Sequence, residues 1–100
     1  MIGVYITCTD KKEAKKIAMH LLKNRLIACA NVFPTDSFYW WKGKIVEDKE
    51  VVLFAKTLDS TFPEIIVAVK KLHSYSIPCI SKIPENADLD YLEWLKGEVK

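Results

Sequence analysis

Hydrophobic and polar positions along the chain switch between a period of two and a period near 3.6, and the switches mark its elements. Residues Ile2 to Cys8 are mostly β-branched or aromatic and predict a strand. Thr9 and Asp10 then supply capping oxygens, and Glu13 stands three residues after Asp10, so a helix starts there. Ala14, Ile17, Ala18, Leu21 and Leu22 form its apolar stripe, while Lys11, Lys12, Lys15, Lys16, His20 and Lys23 read as a solvated face. The run from Leu26 to Val32, broken only by Asn31, predicts a buried strand. Pro34-Thr35-Asp36-Ser37 interrupts, and Pro34, which cannot donate to a ladder, marks a bulge or an edge position where the strand bends. Phe38-Tyr39-Trp40-Trp41, then Lys42-Gly43, then Ile45-Val46 read as a hairpin. A strand from Glu50 to Thr57 leads to a second amphipathic helix with Pro63 in its first turn and Phe62, Ile65, Ile66, Val69 and Leu72 on its apolar face. An extended piece over Ile77 to Ile83, containing Pro78, precedes a short terminal helix capped by Asp88.

The order β-α-β-β-α-β with a final helix is the split βαβ plan, an α+β ferredoxin-like architecture that accounts for residues 1–100 as one domain. The hairpin adds a constraint. Four successive aromatics in a strand point to alternate faces, so one core covers only two of them. Leu26 to Trp41 fully extended spans ~50 Å at ~3.3 Å per residue, more than the ~30–35 Å diameter of a domain this size. The arm therefore overhangs its own body, and its exposed edges and rings are best covered by another copy of the chain.

Charge and composition remove several classes. Lys and Arg total 15 against 13 Asp and Glu, a net charge of +2, which falls short of a nucleic-acid footprint. RNA-recognition motifs share this element order, but their basic-Gly-aromatic signature is missing: Lys42-Gly43 is followed by Lys44-Ile45. The N-terminus shows no basic, apolar and cleavage-site succession, and no apolar run approaches a membrane span, so a cytosolic location is expected. Three cysteines without CxxC spacing, Cys8, Cys29 and Cys79, argue against a disulfide framework and a zinc ribbon. No phosphate loop, nucleophile elbow or two-His zinc motif is present, so the chain is not read as an enzyme.

Six stretches together carry a family resemblance: Arg25 to Asn31, Tyr39 to Lys44, Lys49-Glu50-Val51, Lys56-Thr57, His73 to Pro78 and Asp90 to Leu95. In this order and spacing the chain resembles the CutA family of divalent-cation tolerance proteins over almost its whole length. The resemblance implies a ferredoxin-like subunit in a tight homotrimer built through long bent strands, similar in plan to the nitrogen-regulatory PII proteins, and a link to copper and other divalent cations. Ser74 departs from the family pattern, standing where a His-Pro-Tyr-x-x-Pro motif has its first Pro.

Thiolate and imidazole suit copper, which makes Cys29, His73, Cys8 and Cys79 the metal candidates, with Cys29 and His73 foremost. None forms a local pair, so a site must be assembled in space. Glu50 and Lys56 share strand parity and face the same side, ~20 Å apart. With Trp41, Tyr75, Tyr91 and Trp94 they offer the walls and polar groups of a ligand cleft between subunits. Two functions result: a trimer that binds copper or a related cation in metal tolerance, or a PII-like sensor or scaffold whose cleft takes a small molecule or a protein partner.

Overall fold

A computed structural model describes residues 1–100. Strand β1 (Ile2–Cys8) leads to helix α1 (Lys11–Lys23), then to β2 (Cys29–Trp41) and β3 (Lys44–Thr57). Helix α2 (Phe62–Leu72), strand β4 (Ile80–Pro84) and helix α3 (Leu89–Glu98) complete the chain. The four strands form one antiparallel sheet in the order β2-β3-β1-β4, the α+β ferredoxin-like arrangement expected. No helix is long and apolar enough to cross a membrane.

Alternation along β1 sends Ile2, Val4, Ile6 and Cys8 to one face, where they are buried with Ala14, Ile17, Ala18 and Leu21 of α1 and Ile65 and Val69 of α2. Gly3, Tyr5 and Thr7 therefore face the other side, which they share with Glu50, Val52, Phe54 and Lys56 of β3. A Cβ on Gly3 would lie 2.5 Å from both the Phe54 ring and a Glu85 carboxylate oxygen, so any larger residue there must displace those side chains. Asp10 caps α1 by accepting from the Glu13 N–H at 2.8 Å. The helix ends in a six-residue closure, Leu26 N–H to Leu21 C=O, with Arg25 at φ 57 in the position usually given to glycine.

The sequence pattern misjudged two segments. β2 starts at Cys29, since Leu26 and Ile27 are buried in the turn that leaves α1; of the two alternatives at Pro34, a bulge or an edge position, the edge position holds. Pro34 pairs one-to-one with Val51, and the outer position of β2 lets its missing N–H go unnoticed by the ladder. β4 starts at Ile80, three residues later than expected, after Pro78, which has no N–H to offer a ladder.

The overhang is present. β1 pairs with β3 only over Val51 to Thr57, while β2 and β3 continue together to a Lys42-Gly43 turn with both φ angles positive, as a type I′ hairpin demands. The molecule is accordingly elongated, 45 × 25 × 21 Å. On the projecting ribbon Phe38, Trp40 and Ile45 are 68%, 72% and 66% exposed.

Candidate functional site

Where β1 and α2 end side by side, three ligand-type groups converge: the Cys8 thiol, the Glu13 carboxylate and the His73 imidazole, with ligand atoms all within 4.8 Å of one another. Each is placed by a local rule. Cys8 is the last inward residue of β1, Glu13 the third residue of α1, and His73 the residue that terminates α2 with extended φ −76 and ψ 140. The His73 side chain is fully buried and that of Glu13 is 9% exposed.

Hydrogen bonds fix the imidazole and the carboxylate. His73 Nε2 lies 2.8 Å from the Thr7 carbonyl, and its Nδ1 accepts the Tyr75 N–H at 3.1 Å. Only the tautomer with its proton on Nε2 satisfies both, since a carbonyl can only accept and an amide N–H can only donate. Glu13 accepts the Thr9 N–H at 3.0 Å and the Ser74 N–H at 2.9 Å, one on each oxygen, and its Oε1 stands 3.8 Å from His73 Nδ1. Burial pushes the Glu13 carboxyl up, but the bonds from Ser74 and Thr9, aided by His73, outweigh it and hold the group below its ordinary value. Burial, reinforced by Glu13, Asp10 and Glu50, pushes the Cys8 thiol up to about 12, so it is a protonated thiol until something stabilises the thiolate.

One more residue of this loop reaches the ribbon. Tyr75 donates its phenol to Glu50 at 2.6 Å, at the point where β3 leaves the body, and burial followed by this bond raises the phenol's pKa. Tyr75, Glu50 and Trp41 line a cavity of about 680 Å³ with Tyr5, Thr7 and Tyr39. The other proposed cleft residues lie elsewhere. Lys56 pairs with Glu85 at 3.2 Å, Tyr91 packs against Trp94 with ring centroids 5.4 Å apart and planes tilted by 50°, and burial followed by a hydrogen bond with Cys29 raises the Tyr91 phenol's pKa. Within one chain the six residues thus form two groups, Trp41, Glu50 and Tyr75 on one cavity and Lys56, Tyr91 and Trp94 apart from it.

The same division separates the two foremost metal candidates. Cys29 pairs with Lys56 and Thr7, beneath His73, with Val52, so four residues of β3 part them along the strands, roughly 13 Å, and two strand spacings of ~4.8 Å part them across the sheet. Within one chain Cys29 and His73 do not meet. Cys79 is exposed on the loop before β4 and also lies outside the cluster. Within the chain the thiol beside His73 is Cys8. Glu13 enters unannounced, because in sequence it reads as a helix cap; its spacing to Cys8, one strand end to one helix turn, was the available signal.

The family model for the CutA1 divalent ion tolerance protein matches residues 2–98. The chain belongs to the CutA1 family. A divalent-cation tolerance protein CutA from Pyrococcus horikoshii is 46% identical over all of this chain and 99% of its own length. The corresponding protein of Archaeoglobus fulgidus is 42% identical over 97% of this chain and 96% of its own. Solved CutA1 structures share the fold closely. The crystal structure of P. horikoshii CutA1 superposes with a TM-score of 0.94 at 46% identity over all of this chain and 99% of that one. The A. fulgidus structure, described as that of the periplasmic divalent cation tolerance protein CutA, gives 0.96 at 41% identity over all of both chains. CutA1 proteins are grouped by tolerance of divalent ions and not by a reaction.

Proposed function

We propose that this CutA1 chain supports metal tolerance by binding a divalent cation at Cys8, Glu13 and His73. The convergence of a thiol, an imidazole and a carboxylate within 4.8 Å carries the reading. The donors fit such an ion: nitrogen, sulfur and oxygen together suit borderline metals, copper(II) first in the usual affinity order and zinc(II) after it, better than magnesium or calcium. Donors around a four-coordinate zinc stand ~3.5 Å apart, so the cluster needs only a small contraction. The thiol must lose its proton on binding, which ties affinity to pH.

The assembly we propose is a homotrimer held by the projecting ribbons, and the site is cytosolic, in keeping with three unpaired thiols. No catalysis is assigned. Calorimetric titration with zinc(II) and copper(II) tests the reading. One ion per chain is expected for the wild type, and Cys8→Ser or His73→Ala should each weaken binding at least about tenfold. Unchanged stoichiometry and affinity in both variants would overturn it. Cys29→Ser, expected to be neutral, serves as the control.

A second reading rests on the 680 Å³ cavity, which has the size and the aromatic walls of a small-molecule site. Glu50 and Tyr75 already bond each other there, which leaves Thr35, Asp36, Ser37 and Ser76 among its other polar groups to meet a ligand. Retention of a metabolite by the purified protein, lost in Glu50→Gln, would favour a PII-like sensor.

A further inference from the structure

Residues 73–75 hold the groups that the cation reading needs, and this inference rests on that reading. His73 Nδ1 has one lone pair, and the Tyr75 N–H occupies it. Nε2 carries the proton that bonds the Thr7 carbonyl, so that nitrogen is also unavailable without a lost bond. Glu13 spends one oxygen on the Ser74 N–H. That last bond exists only because residue 74 has an N–H; proline there would have none.

We propose that the Ser74-Tyr75 segment is a latch that competes with the cation for Glu13 and His73, and that Ser74 sets how tightly the site binds. Binding through Nδ1 forces the Tyr75 amide off the imidazole. An ion that takes Glu13 through Oε2, the oxygen bonded to Ser74, forces that amide off as well. The freed segment carries Tyr75, whose phenol holds Glu50 at the root of the ribbon, so occupancy of the site is transmitted to the surface that projects toward other copies. The coupling is reciprocal: whatever holds Tyr75 on Glu50 weakens the cation's hold by the same factor.

The test pairs a variant with a measurement on the wild type. Ser74→Pro removes the competing N–H, and the extended backbone of His73 (φ −76, ψ 140) is the conformation a residue before proline adopts. Zinc(II) titration by competition with a chromophoric chelator should show the variant binding about three- to tenfold more tightly, the effect of one hydrogen bond. In the wild type, saturating zinc(II) should speed hydrogen exchange at the Ser74 and Tyr75 amides while the β1–β3 ladder stays protected. Zinc bound through Cys8 and His73 with unchanged exchange at residues 74 and 75 overturns the latch and leaves the site standing. Zinc that does not bind, or that binds equally well to His73→Ala, overturns both. The exchange measurement decides even where Ser74→Pro fails to fold.

Discussion

Replacing Trp40 with Ser tests the ribbon without touching the sheet's core. Trp40 is 72% exposed on a segment that no other part of its own chain covers. A tryptophan presents ~250 Å², so covering the remainder removes ~180 Å² from water and contributes at most ~4.5 kcal/mol at ~25 cal/mol per Å². Ordering the ring and desolvating its indole N–H reduce this to ~2 kcal/mol per subunit. Three subunits that each cover one such ring lose ~6 kcal/mol together, a ten-thousandfold drop or so in the assembly constant. Sedimentation velocity over a dilution series reads it directly. The wild type should stay assembled into the low micromolar range, while Trp40→Ser shifts to single chains that retain native far-ultraviolet circular dichroism. Lys15→Ser, on the outer face of α1, should leave assembly unaltered. A wild type that sediments as one chain at every concentration, or a Trp40→Ser variant indistinguishable from it, would refute the reasoning.

Glu13→Gln should lower stability by about 1–3 kcal/mol at neutral pH, the worth of charge-assisted bonds to two backbone amides. Because the folded pKa of Glu13 lies below its ordinary 4.5, its stabilisation is complete above that value and is lost as pH falls through the folded value. Denaturant unfolding should therefore show the two proteins converging in acid; a gap that persists or widens there would contradict the assignment. Thiol labelling at mild alkaline pH should modify exposed Cys79 rapidly and leave Cys8 intact, since burial holds its thiol near 12. Equal rates, followed by mass spectrometry, would show that Cys8 is neither buried nor protonated. Arg25→Gly relieves a left-handed residue at the end of α1 and should stabilise by about 0.5–1 kcal/mol, since the Arg25–Glu98 pair it sacrifices is exposed. Destabilisation in a melt would show that pair to matter more than the backbone.

What the sequence reveals depends on how local the governing force is. β1, α1, α2 and α3 are set by period and caps: Asp10 and Asp88 do accept the N–H groups three residues on, and Pro63 stands in the first turn of α2. The outer half of the β2–β3 ribbon defeats pattern reading, because a ribbon with no core beneath it has no reason to alternate. Asp36, Ser37, Asp48 and Lys49 therefore look like loop residues while they pair in register. The loop after α2 fails in the opposite sense. Ile77 and Pro78 look extended, but Pro78 has no N–H to offer a ladder, and the Ser74 and Tyr75 amides are captured at Glu13 and His73, which no periodicity records.

The site divides along the same line. Cys8 and His73 are each conspicuous as residue types, yet their meeting depends on β1 and α2 ending at the same edge of the body, a tertiary fact. Cys29 is equally conspicuous and lands at the far end of the sheet, because antiparallel pairing brings the start of β2 beside the end of β3. Glu13 is the most instructive case. A carboxylate in the first turn of a helix is explained fully by capping, so nothing in the sequence asks for a second role. The structure gives it one, since the oxygen that does not face Thr9 holds Ser74, and the oxygen that does stands 3.8 Å from His73. One residue thus braces the start of α1, secures the loop after α2 and stands beside a buried imidazole. These roles share two oxygen atoms, so any ion drawn to that carboxylate must be felt at both the helix and the loop.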